Sequence, residues 1–266
     1  MATVTVAAGL LAATVGPASA TKGGDTPSRH RKPTVVLVHG AFADSSSWND
    51  VVKKLKHDGY PVVAAANPLR GLAGDAAYVR ELVDSIDGPV VLAGHSYGGA
   101  VISNAARGSD KVKALVYLAA FMPDKGENAF DLSLKFDGST LGDALKQVPV
   151  TMADGSKGVD LYIDQAKFHH QFAADVPAHT AEIMAATQRP VAGGALYEPS
   201  GEPAWKTIPS WVLVASNDRN IPRELQVFMA ERAESHVEEV RSSHAVSVSH
   251  PKESARIIEE AARSVR

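Results

Sequence analysis

The chain has 266 residues, 45% of them hydrophobic and 21% charged, with a formal net charge of −3. This composition is globular and supplies a sizeable core, which excludes a disordered or fibrous chain. The slight acidity offers no pull toward nucleic acid or anionic lipid, and the absence of cysteine excludes disulfides, thiolate metal sites and a cysteine nucleophile.

Residues 2–15 are almost uniformly small and apolar, and no charge precedes Lys22. Gly16 and Pro17 break the run, and Ala18, Ser19 and Ala20 fit a small-x-small cleavage site. Residues 1–20 are therefore expected to be a signal peptide and the protein to be secreted, although the usual basic residue before the apolar run is missing. The run is too short for a membrane span. Residues 21–32 are polar and carry Gly23, Gly24, Pro27 and the basic run Arg29, His30, Arg31, Lys32, which predicts a linker.

From residue 33 short apolar runs alternate with amphipathic stretches. Strands are predicted over 34–38 (TVVLV), 61–66, 89–93 (PVVLA), 114–119 (ALVYLA), 210–215 (SWVLVA) and about 237–240. Helices are predicted over 45–57, where Trp48, Val51, Val52 and Leu55 share one side, and over 75–86, 97–106, 223–233 and 251–265. Between 123 and 207 the alternation fails and only patchy helical segments remain, at 160–172 and 178–187. The expected fold is α/β, with a six-stranded, mostly parallel sheet covered by helices on both faces. The irregular stretch is an insertion between the fourth and fifth strands.

The segment GHSYGG at 94–99 joins the third strand directly to the third helix and matches G-x-S-x-G in its strand–turn–helix setting. A tight turn at Ser96 brings the backbone on either side together, so positions 94 and 98 must be small, and the Ser96 hydroxyl then stands at the carboxyl end of the sheet. The amide of Tyr97 opens the helix toward the same spot.

A serine needs a base. Of ten histidines, His244 lies in the loop after the last strand, at the carboxyl edge of the sheet, and is the expected base. His95 adjoins the serine but should point to the opposite side, His39 shapes the first loop, and His250 precedes a helix-starting Pro251. Two carboxylates sit just past strand ends, Asp218 after the fifth and Asp124 after the fourth. Asp218 is favoured as the histidine's partner, while turn or capping work is the ordinary reading for either. The loop of His39, Gly40, Ala41 and Phe42 supplies the second oxyanion donor, with Ala41 first choice and Phe42 second. Losing one such donor costs about 3 to 4 kcal/mol of transition-state stabilisation.

Phe42, His95, Phe168 and Phe172 are the residues expected at the substrate. Phe130, Phe136, Tyr162 and Met184 are further candidates for an apolar pocket, although an insertion also needs a small core of its own. The pair His169 and His170 lacks a third ligand at convincing spacing, so no metal is expected.

These residues together resemble the α/β-hydrolase superfamily from residue 33 to the end, in its compact bacterial esterase-like branch, to which plant methyl-ester esterases and hydroxynitrile lyases also belong. The matching pieces are residues 39–48 (HGAFADSSSW), 94–99, the strand running to Asp218, Ser243 with His244, and Ser249, His250 and Pro251. The resemblance implies a Ser96, Asp218, His244 triad, a cap formed by the insertion, and neither metal nor organic cofactor. It departs from the lyases at Gly40, where they carry threonine, and from relatives with an aspartate nucleophile at Ser96. The expected function is a serine hydrolase acting on a small, apolar carboxylic ester or lactone. The alternatives are a cofactor-free carbon–carbon lyase, a haloperoxidase or an acyltransferase on the same triad, and a non-catalytic ligand-binding protein of the same fold. Oligomeric state leaves no trace in the sequence.

Overall fold

The computed structural model describes residues 32–151 and 155–265. The expected signal peptide and nearly all of the expected linker lie outside them. The chain opens with β1 (Thr34–Val38), a short 3-10 turn, α1 (Asn49–His57), β2 (Val62–Ala65), α2 (Leu72–Asp84), β3 (Val90–Ser96), α3 (Tyr97–Ala105) and β4 (Val112–Ala120). After a long insertion it returns with β8 (Ser210–Ala215), α9 (Arg223–Arg232), β9 (His236–Val240), α10 (Val246–Ser249) and α11 (Pro251–Ser264). The six strands pair entirely in parallel, in the order β2-β1-β3-β4-β8-β9.

The four inner strands β1, β3, β4 and β8 are apolar runs, not alternating ones, because both faces of the sheet are covered there, whereas the edge strand β9 carries Glu238 and Glu239. All seven residues of β3 are buried, and in β4 only Lys113 is exposed. Side-chain alternation then divides the core in two. Val36, Val38, Leu92, Leu115 and Tyr117 pack with Val79 and Val83 of α2, Val101 of α3, and Leu225 and Met229 of α9. Val35, Leu37, Val91, Ala93 and Val116 pack on the other face with Trp48, with Val51 and Leu55 of α1, and with Ile257 and Ile258 of α11.

The insertion holds more regular structure than its sequence foretells. It contains α4 (Ala129–Ser133), α5 (Leu141–Ala144), β5 (Leu145–Thr151), β6 (Lys157–Ile163), α6 (Gln165–Phe172), α7 (Ala178–Thr187), β7 (Val191–Ala192) and α8 (Gly193–Tyr197). Strands β5, β6 and β7 form a separate antiparallel sheet in that order. The predicted helical segment at 160–172 is thus corrected. Its first residues belong to β6, and Asp164 caps α6 by accepting the Ala166 amide at 2.9 Å. Strand β5 contains Pro149, tolerated because β5 is an edge strand. No helix among the described residues is long and apolar enough to cross a membrane.

Leu55 is completely buried whereas Ile183 on α7 is 62% exposed. Leu55→Ala is therefore expected to cost about 2 to 5 kcal/mol and Ile183→Ala no more than about 0.5 kcal/mol. Urea unfolding of the two variants checks this difference.

Candidate active site

At the junction of β3 and α3 the Ser96 backbone takes φ 55° and ψ −128°, a conformation that L-residues avoid. The neighbouring glycines show what holds it there. A Cβ at Gly94 would fall 2.6 Å from the Gly98 carbonyl oxygen, and one at Gly98 only 2.4 Å from the carbonyl oxygen of Val38 on β1. At Gly40 a Cβ would meet the Ser96 Cβ at 2.5 Å and the His95 carbonyl oxygen at 2.7 Å. The first loop and the turn are in backbone contact, and Ser96, 7% exposed, sits between them.

The loops after β8 and β9 bring Asp218 and His244 together. His244 Nδ1 lies 2.7 Å from Asp218 Oδ2, with both side chains fully buried. Asp218 is held by more than this bond. Its Oδ1 accepts the amides of Asn220 at 2.7 Å and Ile221 at 3.0 Å, and its Oδ2 also accepts Gln226 Nε2 at 3.1 Å. A carboxylate surrounded by donors fixes the histidine tautomer: Nδ1 donates, and Nε2 keeps its lone pair. That Nε2 is buried without a protein partner. Ser96 Oγ also makes no hydrogen bond to a described residue, so the two groups are not hydrogen-bonded to each other in this state. Catalytic contacts commonly tighten only with substrate bound.

His95 supports the pair from below. Its Nε2 donates to the His244 carbonyl at 2.8 Å, and the two rings lie 4.7 Å apart. Burial, followed by the nearby His244, holds the His95 pKa well below its ordinary 6.5. Burial likewise lowers His39, whose Nδ1 donates to the Gly40 carbonyl at 3.0 Å. The Tyr97 hydroxyl donates to buried Asp75 at 3.0 Å; burial first, then Asp75, pushes its pKa far up.

A cavity of about 320 Å³ opens over Ser96 and Tyr97. Ala41, Phe42, Phe121, Phe130, Phe136 and Leu141 supply much of its wall, and no lysine, arginine or histidine lines it. Of the residues expected at the substrate, Phe42 lines this cavity; His95, Phe168 and Phe172 do not. Phe168 and Phe172 stack at 5.0 Å within the insertion, and the Phe172 ring meets His244 edge-on at 4.8 Å. The Phe42 amide donates to the Arg189 carbonyl at 3.0 Å, whereas the Ala41 amide has no partner among the described residues. Asp124 is ion-paired with Lys206 at 2.6 Å on the surface. His169 spends its Nε2 hydrogen on the Val176 carbonyl at 2.9 Å.

Sequence reasoning missed Gln226, which bonds Asp218, Ala215 and Ile221 from α9 while only 1% exposed. Its only signal is a polar residue on the apolar face formed by Leu225, Met229 and Ala230. Asn220, at the cavity wall, was likewise missed.

A family model described as alpha/beta hydrolase family matches residues 35–257. The chain belongs to this family. It is similar to a carbendazim hydrolyzing esterase of Nocardioides sp., 34% identical over 110 residues that cover 36% of this chain and 46% of that protein. It is also similar to a putative chloroplastic methylesterase of Arabidopsis thaliana, 33% identical over 38% of this chain and 30% of that one. Both matches thus span less than half of the relative's length. The alpha/beta hydrolase nvfD of Aspergillus novofumigatus is 25% identical over 87% of this chain and 97% of its own. Among solved structures, polyneuridine aldehyde esterase superposes with a TM-score of 0.74 at 18% identity, covering 86% of this chain and 98% of that one. The pyrethroid hydrolase PytH gives 0.73 at 23%, covering 88% and 98%. At these identities the structural likenesses speak to the fold.

The Gly98→Ala variant should lose about 1 to 3 kcal/mol or more through overpacking. Gly74→Ala in α2, where a Cβ meets nothing within 4 Å, should gain up to about 1 kcal/mol. Thermal unfolding of both tests the crowding at the turn. A second expectation concerns acid. Because burial makes His39 and His95 harder to protonate in the folded than in the unfolded chain, their contribution is intact above about pH 6.5 and is lost as pH falls below it. The urea midpoint should therefore drop as the pH falls from about 7 to about 5.5, and imidazole proton NMR should show both residues titrating below the ordinary 6.5, His95 further below it than His39.

Proposed function

We propose that this chain is a serine hydrolase that cleaves a small, apolar carboxylic ester or lactone through an acyl-enzyme on Ser96. The observation that carries the reading is the strained serine at the base of an apolar cavity, beside a buried His244–Asp218 pair 2.7 Å apart. Ser96 Oγ attacks the ester carbonyl carbon while His244 Nε2 takes its proton. The electron pair of the carbonyl moves onto its oxygen, where the amides of Tyr97 and Ala41 receive the negative charge. Ala41 takes this role over Phe42 because the Phe42 amide is engaged by Arg189. When the carbonyl re-forms, the bond to the alcohol oxygen breaks and His244 returns the proton to it. A water activated by His244 then releases the acid. Asp218 stabilises the imidazolium in both halves.

The insertion serves as the cap over the cavity, and the largely apolar wall, which holds the carboxylates of Asp137 and Asp143 but no cation, favours hydrophobic substrates without a negative charge. That relatives are esterases and methylesterases supports ester hydrolysis as the reaction class. The lyase reading is weakened by Gly40, since the threonine of the lyases would collide with Ser96 on this backbone. Secretion remains part of the proposal, supported by the apolar N-terminal run and by a structural neighbour described as an extracellular α/β-hydrolase from Paenibacillus.

A fluorophosphonate should label the protein at Ser96, located by mass spectrometry, and p-nitrophenyl esters should turn over. Ser96→Ala and His244→Ala should each lose about 10⁴-fold or more in kcat. Labelling without turnover of any ester would redirect the reading to a lyase or transferase; no labelling would overturn the activated serine.

A further inference from the structure

Ser96 cannot adjust its position: its backbone is wedged between β1, the first loop and α3. His244, by contrast, sits in an irregular loop between β9 and the short α10. Whatever sets the distance between base and nucleophile must therefore act on that loop, and besides His95, Asp218 and the Asn217 amide from the sheet side the contacts that hold it come from the insertion. The Phe172 carbonyl accepts the Ala245 amide at 3.0 Å and the Ser243 hydroxyl at 3.3 Å. Asp175, in the turn after α6, accepts the Ser243 amide at 3.1 Å through Oδ2 and the Ser243 hydroxyl through Oδ1. The same carboxylate lies 3.5 Å from His250 Nδ1, at the far end of α10. Ser249 links His250 at 2.9 Å to Ser242 at 3.0 Å, so the two ends of the segment around His244 are tied together beside Asp175.

The same turn of helix reaches the other loop. Gln171, 4% exposed, donates to the Arg219 carbonyl at 2.9 Å and to Asn220 Oδ1 at 2.8 Å, next to Asp218. Partial burial works against the charge on Asp175, but the donors around it, Ser243 first, hold its pKa below the usual carboxylate range. Nothing in the reaction uses this carboxylate, and it is not among the residues lining the cavity.

We infer that Asp175 is a positioning residue for His244: the insertion's carboxylate pins the segment 242–250 and thereby sets where the base meets Ser96. The inference rests on the serine-hydrolase reading. It makes seating of the insertion and assembly of the base a single event. A displacement of about 1 Å at the base is enough to lose about 10²-fold in rate.

The test compares Asp175→Ala with Asp164→Ala, which removes the cap at the other end of α6 and does not touch the His244 loop. Asp175→Ala should lower kcat for a p-nitrophenyl ester about 10- to 100-fold with KM within about twofold, and should slow fluorophosphonate labelling in parallel. Asp164→Ala should lower the melting temperature without lowering kcat. Adding Ser243→Ala to Asp175→Ala should cost little further, because the hydroxyl's principal acceptor is already gone and only its longer bond to the Phe172 carbonyl remains to be lost. A readout independent of turnover is the downfield proton of His244 Nδ1, assigned by its loss in His244→Ala. It should shift or broaden in Asp175→Ala and stay in place in Asp164→Ala. If Asp175→Ala fails to fold, Asp175→Asn, which keeps the size and one acceptor oxygen, should show the same changes in smaller measure. Unchanged kcat with an unmoved proton overturns the inference, as do equal kcat losses in the Asp175 and Asp164 variants. Full activity in Ser96→Ala would overturn the hydrolase reading alone, and the proton comparison would still decide the role of Asp175.

Discussion

Everything at this site depends on one crowded turn. A serine at φ 55° stores strain of about 1 to 3 kcal/mol, and it persists because the atoms around it leave no other conformation. Gly98 lies against the Val38 carbonyl, Gly40 lies against Ser96, and the Ser96 carbonyl is fixed by the Phe121 amide at 3.1 Å. Those contacts require β3 to run between β1 and β4, all parallel, and require α3 to approach the sheet through small residues. The central strand order and the small-residue composition of α3 are thus parts of one geometric requirement.

Around that fixed point the polar groups divide by how they are held. Asp218 is immobilised by four donors from its own loop, from α9 and from His244. His244 leans on aromatic neighbours and on a hydrogen bond from His95, whose pKa burial holds well below its ordinary value. A neutral ring packed against His244 places no second positive charge beside it. The low-dielectric surroundings strengthen every one of these bonds and make any unpaired group costly.

The inner parallel strands are legible in the sequence because strands buried on both faces must be unbroken apolar runs, and the turn at 94–99 is legible because its glycines answer a steric demand. Asp218 and His244 can be placed at strand ends, but their hydrogen bond needs two loops to meet, which no local pattern reports. The insertion is less legible. In β5 the pattern is polar and interrupted by Pro149, and β6 passes into α6 at Asp164 with no glycine or proline to mark the change. Phe168 and Phe172 look like pocket walls in sequence, since an aromatic side chain does not reveal whether it faces a cavity or a neighbouring histidine. Gln226 is hidden for the converse reason: a buried amide is visible only through the partners that satisfy it.

The outer strand of the small sheet has a bearing on how copies of this protein meet one another. A free strand edge offers a ladder of amides on which a second chain can add, the first step toward aggregation. In β5 the ladder lacks a rung, because Pro149 has no N–H, and exposed Lys146 puts a charge beside any incoming chain. The same residues that obscure this strand in the sequence make it a poor template for edge-to-edge pairing, and so mark where the small sheet ends.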